Sequence, residues 1–361
     1  MSKHFQLNGN YVRYEFSEFG GKFTPVNYDM PIPTGSEVLL KVDFCGVCHS
    51  DVHVHEGYYG LGQGRKLDLG ERGIKLPVTL GHEVVGTVVS MGEEVKEVSV
   101  GQQKLIYPWI GCGECSVCQR GEENLCTKPG SLGVFKPGGY SECILVPHQR
   151  YLESLGSLNP ANASLLACSG LTTFSAIKKI QPVHNEEFVV VIGCGGLGQL
   201  AIKTLVLSGI ENVIAVDVSE EKREIAKSSG AKSAFDPRDE KIVEVVTEAG
   251  KGNCIAVLDF VGNDQTMEFG LGVLRKGGKF VAVGLHGGEI RYPIPFLVTK
   301  AISIIGSYTG TLGEMKELVE FANKHDLVNI PVEIRPLEQA ESAVEDLSAG
   351  RVPGRIILKN G

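Results

Sequence analysis

The stretch Phe188-Val189-Val190-Val191-Ile192, followed at once by Gly193-Cys194-Gly195-Gly196-Leu197-Gly198, decides the fold. Five apolar residues with no polar alternation have the length and pattern of a buried strand. The six residues after them fit G-x-G-x-x-G. From Leu197 to Ser208 the apolar positions Leu197, Leu200, Ala201 and Leu205 fall at helical spacing. A second apolar run, Val213–Val216, then ends in an acid, Asp217, 19 positions beyond Gly198. Alone, the glycine pattern is weak. Between a strand and a helix, and with the acid at the next strand end, it is the context a dinucleotide loop requires. Gly193, Gly195, Gly196, Leu197 and Gly198 would cradle a pyrophosphate with backbone N–H groups at a positive helix end. Asp217 would accept hydrogen bonds from the adenosine ribose and repel a 2′-phosphate, which favours NAD over NADP.

Outward from this stretch the same alternation continues. Glu220–Ser229 reads as a polar amphipathic helix, Ala256–Phe260 and Phe280–Val283 as strands, and Thr266–Leu274 as a helix between them. Ile302–Ile305 is one more short apolar strand. This order predicts an α/β fold with a Rossmann-type, doubly wound parallel sheet over residues 161–307. Residues 1–160 differ: short β-like runs such as Val38–Val42 and Val84–Val89 are broken by Gly and Pro, which predicts a partly barrel-like β domain. After Tyr308 come a helix, Leu312–Asn323, and a β-like tail, Arg355–Leu358. Residues 308–361 are therefore expected to rejoin the first domain. No internal repeat is visible.

Composition narrows the class. The chain has 361 residues, 42% hydrophobic and 22% charged, with a net charge of -8. That balance is globular, and the acidity with no run of Lys or Arg argues against a nucleic-acid surface. No apolar stretch approaches the roughly 20 residues of a membrane helix. The opening MSKHFQLNGN lacks the apolar core of a signal peptide, so a cytoplasmic protein is expected. Ten cysteines in a reducing compartment then read as metal ligands and buried thiols.

Four of the ten, Cys112, Cys115, Cys118 and Cys126, have the spacing C-x2-C-x2-C-x7-C, in a lobe of about residues 111–127. They supply a complete tetrahedral thiolate set for a structural zinc and match neither usual ferredoxin pattern. A catalytic zinc needs three protein ligands and an open position, drawn from Cys45, Cys48, Cys143, Cys168, Cys194, Cys254 and nine histidines. Spacing alone does not choose among them. Cys45 and Cys48 form C-x-x-C, but the thioredoxin-like βαβ context of a redox pair is missing.

The pieces GVCHSDVH (46–53), GHE (81–83), the four-cysteine lobe, ACSGLTTFSA (167–176), GCGGLG (193–198) and the Asp217 strand end occur in one order along almost the whole chain. Together they resemble the zinc-dependent medium-chain alcohol dehydrogenases. The resemblance implies a GroES-like β catalytic domain beside the Rossmann domain, and two zinc ions per subunit, one catalytic and one structural. It implies Cys48, His82 and Cys168 as catalytic zinc ligands, Glu83 as an acid able to approach the metal, and Asp51 as the carboxylate orienting His82. It gives Ser50 and His53 the proton relay. His49, Thr172, Lys222 and Arg355 become cofactor contacts. The implied reaction passes a hydride between an alcohol and NAD, giving aldehyde or ketone, in a homodimer or homotetramer. A polyol or formaldehyde dehydrogenase is the nearest alternative, although Cys168 as third ligand points away from the polyol branch. A non-catalytic relative would be expected to lack ligands that are all present here.

One departure stands out. The chain between Cys48 and His82 is longer than in the most familiar members and carries Gly57-Tyr58-Tyr59-Gly60-Leu61-Gly62-Gln63-Gly64-Arg65-Lys66. This loop is expected to border the substrate entrance, with Tyr59 and Trp109 as pocket residues. Arg65 or Lys66 would then meet the far carboxylate of an ω-hydroxy acid such as 6-hydroxyhexanoate. A medium- or long-chain alcohol, primary or secondary, is the other expectation.

Overall fold

The computed structural model describes residues 9–361. The stretch read above for a leader lies, up to residue 8, outside the described residues, as does the start of the expected 1–160 domain. The chain divides into two compact units. One comprises residues 9–58, 68–168 and 311–361 of the described chain; the other comprises 59–67 and 169–310.

The second unit is built on six parallel strands. Their spatial order is Ser233–Phe235, Val213–Val216, Phe188–Ile192, Cys254–Asp259, Lys279–Ala282 and Ser303–Gly306. In chain order this is 3-2-1-4-5-6, so the order of succession across the sheet reverses between Phe188–Ile192 and Cys254–Asp259 while every strand stays parallel. Ligands of such sheets bind outside the carboxyl ends at this switch point, where Gly193 begins. The unbroken apolar run has a direct cause. Val189 and Val191 pack with Ala176, Ala201 and Leu205 on one face. Val190 and Ile192 pack with Val246, Leu271 and Phe280 on the other. Both faces are buried, so no polar alternation is possible.

Residues 59–67 join this unit although they interrupt the other in sequence. The short strands Tyr58–Gly60 and Lys66–Asp68 form a hairpin. Its backbone lies close to residues 286–289: a Cβ on Gly287 would come within 2.3 Å of the Gly60 carbonyl oxygen. Gln63 and Arg65 both bond the Glu289 carboxylate.

The first unit is a mostly antiparallel seven-stranded sheet. Val38–Gly46 is central and pairs with Glu83–Met91, Cys143–Val146 and Arg355–Lys359. The register aligns Gly46 with Glu83 on one side and with Ile357 on the other, which brings the C-terminal tail beside Glu83. The unit resumes at Thr311, with helix Leu312–Lys324, strand Val332–Pro336 and helix Ala340–Ser348 before Arg355. The boundaries at 168/169 and 310/311 lie slightly later than the breaks expected at 160/161 and 307/308.

Candidate active site

Cys48, His82 and Cys168 lie together in the first unit, all buried, with their ligand atoms within 4.8 Å of one another. Each is placed by a different local device. Cys48 caps the N-terminus of helix His49–Glu56 together with Asp51: the Asp51 N–H donates to the Cys48 carbonyl at 3.0 Å, and the Cys48 N–H donates to Asp51 Oδ2 at 2.9 Å. His82 immediately precedes strand Glu83–Met91. Cys168 is the break between the 3-10 turn Leu165–Ala167 and helix Ser169–Ile180.

The geometry fits a metal. Cys48 Sγ and Cys168 Sγ are 3.8 Å apart, far too long for a disulfide. A tetrahedron with zinc–sulfur bonds of about 2.3 Å has edges of about 3.8 Å. His82 Nδ1 is at ion-pair distance from Asp51 Oδ1, 3.2 Å, without the alignment of a hydrogen bond, and Nε2 is buried with no hydrogen-bond partner at all. A carboxylate beside Nδ1 and an open Nε2 is the arrangement of a metal-binding imidazole. The electrostatics agree. Burial opposes protonation of His82, yet the Asp51 carboxylate and then Cys48 push its pKa well above the ordinary value. Cys48 is held well below the usual thiol range by its hydrogen bond to Cys168, with His82 and Arg355 adding to the effect. The pocket favours positive charge between these three side chains.

Asp51 is itself fixed. It is fully buried and also accepts from Gly81 N–H and the Tyr140 hydroxyl, both at 3.2 Å. Trp109 is 3% exposed, with its ring 5.3 Å from that of His82 and Nε1 donating to the Ala167 carbonyl at 3.1 Å. The indole thus packs on one candidate ligand and anchors the residue before another. Glu83 and Arg355 form a buried ion pair, and Arg355 also donates to the Val47 carbonyl at 2.8 Å. A Cβ on Gly46 would lie 2.0 Å from Glu83 Oε2, so glycine there makes room for the carboxylate. Ser50 Oγ is 3.9 Å from Cys48 Sγ, and His53 lies one turn along the same helix, near Glu56. His49 is exposed. Sequence reasoning does not find Tyr140, which belongs to no motif, and it gives no role to Gly46, although that residue opens GVCHSDVH. The one local signal for Tyr140 is the pair of glycines before it, Gly138 and Gly139, each too crowded for a Cβ.

The other four cysteines also converge. Sulfur separations are 3.9 Å for Cys112–Cys118, 3.4 Å for Cys115–Cys118 and 3.8 Å for Cys115–Cys126, again near a tetrahedral edge. Backbone N–H groups point at the sulfurs. Those of Glu114 and Cys115 push the Cys112 thiol down to about 6, and Cys126 accepts from Cys112 and Lys128 N–H, each at 3.3 Å. Burial, with Cys115 beside it, pushes Cys118 up to about 12. Buried Glu123 braces the lobe by accepting from Gly111 N–H (3.1 Å) and the Tyr151 hydroxyl (2.7 Å), and by pairing with Arg150.

In the second unit the glycines of the loop have separate roles. Gly193 has φ +85°, which favours glycine. A Cβ on Gly198 would strike the Gly193 carbonyl oxygen at 1.9 Å. Gly195 caps helix Gly196–Leu207 with φ -69°, and a Cβ there would meet no atom within 4 Å. Nothing among the described residues crowds a side chain at 195. Asp217 accepts from Cys194 N–H at 2.7 Å and Ser219 N–H at 2.8 Å, which fixes its carboxylate at the strand end. Lys222 is in the first turn of helix Glu220–Ser228. Thr172 is buried in helix Ser169–Ile180, where its neighbour Thr173 donates to the Leu197 carbonyl at 3.4 Å. Tyr59 is half-buried in the hairpin, and Arg65 is 58% exposed and ion-paired with Glu289.

Comparisons with known proteins point the same way in both units. Residues 34–155 match the alcohol dehydrogenase GroES-like domain, and residues 196–324 match the zinc-binding dehydrogenase family. A protein of Sulfurisphaera tokodaii named NAD-dependent alcohol dehydrogenase is 36% identical over 94% of this chain and 97% of its own length. An alcohol dehydrogenase of Geobacillus stearothermophilus is 34% identical over 90% of this chain and 91% of its own. Among solved structures, an alcohol dehydrogenase from the archaeon Aeropyrum pernix matches with a TM-score of 0.86 at 28% identity, covering 96% of this chain and 99% of that one.

Proposed function

Because this chain belongs to the zinc-dependent medium-chain alcohol dehydrogenase family, we propose that it is an NAD-dependent alcohol dehydrogenase. It oxidises a primary or secondary alcohol to an aldehyde or ketone, with NAD taking the hydride and the proton passing to solvent. The observation that carries this reading is the buried set Cys48, His82 and Cys168, with sulfurs 3.8 Å apart and an open His82 Nε2. When bound, zinc supplies Lewis acidity toward a hydroxyl oxygen and NAD supplies the hydride acceptor.

The chain's own residues do the rest. Asp51 holds His82 in one tautomer. Ser50 and His53, one helical turn apart, pass the hydroxyl proton outward, a role suited to an imidazole. Arg355 neutralises Glu83, which keeps that carboxylate off the candidate ligands while the pair stays intact. Gly195 leaves the cofactor pyrophosphate room, and Asp217 receives the ribose. His49, Thr172 and Lys222 complete the proposed cofactor contacts, and Trp109 and Tyr59 the proposed substrate contacts. The second zinc is structural, in the four-cysteine lobe.

Neutral alcohols are the preferred substrates on this reading. An ω-hydroxy acid needs a cation for its far carboxylate, and Arg65, one of the two expected there beside Lys66, is already paired with Glu289. Among the described residues no helix is long and apolar enough to cross a membrane. The proposed compartment is the cytoplasm, where ten thiols stay reduced and free to bind metal. The proposed assembly is a homodimer or homotetramer through the edge strand Ser303–Gly306.

The test combines metal analysis with NADH absorbance over a panel of primary and secondary alcohols, polyols, formaldehyde and 6-hydroxyhexanoate. Two zinc ions per chain and turnover of neutral alcohols are expected. A zinc-loaded protein that binds NADH but oxidises no alcohol defeats the proposal, and a preference for 6-hydroxyhexanoate that survives Arg65→Glu defeats any role for Arg65.

A further inference from the structure

Asp217 is not the sole carboxylate at its end of the sheet. Strand Ser233–Phe235 runs parallel beside Val213–Val216, and Val216 pairs with Phe235. The next residues, Asp217 and Asp236, therefore leave adjacent strand ends, about 4.8 Å apart in the backbone. Asp236 gathers two guanidinium groups. Arg238 reaches it through Nε (2.9 Å) and Nη2, and Arg223 Nη1 lies 3.2 Å from Asp236 Oδ2. Both arginines are also tied to the backbone beside the ribose acid. Arg223 Nη1 donates to the Asp217 carbonyl at 2.7 Å, and Arg238 Nη2 to the Val218 carbonyl at 2.9 Å. Val218 is 56% exposed, so this edge is open.

Arginine near the ribose acid is what accommodates a 2′-phosphate in NADP-binding relatives of this sheet type. This chain has two such arginines and an acid of the NAD type together. We propose that Asp236 is a second determinant of cofactor choice: it holds Arg223 and Arg238 in ion pairs and withholds them from a 2′-phosphate, while Asp217 repels that phosphate. The inference rests on the NAD reading above. Charge counting supports it. The two carboxylates and two guanidiniums of this cluster cancel, so the cluster itself offers a dianionic phosphate no net positive charge. Without the Asp236 charge the same group carries one net positive charge. The hydrogen bond from Arg238 holds the Asp236 carboxyl well below the usual range, so it is ionised at any working pH. Asp236 acts through the arginines and is a positioning residue.

The test is Asp236→Asn in the full-length, zinc-loaded protein, with Kd for NADH and for NADPH measured by fluorescence titration. Asparagine can still accept the Arg238 N–H that closes the turn after Phe235. The ratio of the NADPH Kd to the NADH Kd is expected to fall about tenfold at low salt, and less at high salt because exposed charges are screened. Adding Arg223→Gln and Arg238→Gln should restore the original ratio. Combining Asp217→Gly with Asp236→Asn should lower the ratio further than Asp217→Gly alone. A ratio unchanged in Asp236→Asn, with NADH still bound, overturns the role of Asp236. A wild-type protein that binds neither cofactor overturns the NAD reading beneath it.

Discussion

Gly195 and Gly198 are the same residue for different reasons, and substitution separates them. At 198 a methyl group would lie 1.9 Å from a backbone oxygen that cannot swing away. Gly198→Ala should therefore cost about 2 kcal/mol or more of stability, the range for steric conflict in a packed site. At 195 the backbone suits any residue and the space is open. Gly195→Ala should cost no more than about 1 kcal/mol, the N-cap preference for glycine over alanine, yet weaken NADH binding at least about tenfold by crowding the pyrophosphate. Thermal melts and NADH titration of both variants check this; a Gly195→Ala protein with wild-type NADH affinity would remove the ligand argument. The glycine pattern was legible in the sequence, but which glycine serves the fold and which the ligand was not, because that depends on atoms brought close by folding. The same holds for Tyr140 and Gly46. One reaches Asp51 from 89 positions away, and the other leaves room for Glu83 across a strand pair. Neighbouring residues name the partner of neither.

Among the elements, the four-cysteine lobe and helix His49–Glu56 show how differently two candidate zinc sites are embedded. The lobe's regular structure is slight, a four-residue helix and a 3-10 turn, held by its sulfurs and by Glu123. The catalytic candidates instead hang on the ends of a helix, a strand and a 3-10 turn that pack without them. Cys115→Ala should thus lose one zinc per chain and several degrees of melting temperature, since structural metal binding is itself folding free energy. Cys48→Ala should lose the other zinc and turnover while melting close to wild type. Metal content, activity and thermal melts decide, and the reverse pattern would exchange the two assignments. Element legibility followed burial. Phe188–Ile192, apolar on both faces, was plain. Ser233–Phe235, three half-buried residues at the edge, gave no pattern, and Ile242–Ala249 is a helix rich in β-branched residues that local propensity does not favour. The insertion was visible as extra length, but its membership of the second unit was not, because that depends on Gly60 meeting Gly287 and on Gln63 and Arg65 meeting Glu289.

At the scale of the molecule, the parallel sheet ends in a strand that asks for a partner. Ser303 and Ser307 donate inward to the Gly278 and Ala282 carbonyls, so by the alternation of a parallel ladder the N–H groups of Ile304 and Gly306 face the open edge. An unprotected edge invites another strand, and natural sheets blunt it with charge or proline. Here the edge carries neither. Ile304 is 39% exposed, and the preceding helix Ile294–Lys300 presents Ile294, Phe296 and Val298 at 73%, 56% and 69% exposure. Pairing Ser303–Gly306 with its copy across a two-fold axis would satisfy both edges and cover those side chains, a closed and self-complementary contact. Ile304→Pro removes an outward N–H and leaves the inward bonds to Lys279–Ala282 in place. Sedimentation velocity should show the wild type at twice or four times 38.8 kDa and the variant at a smaller multiple. The variant should keep zinc at both sites, because all seven candidate ligands belong to the other unit. A wild-type monomer, or a variant that assembles unchanged, would move the interface away from this strand.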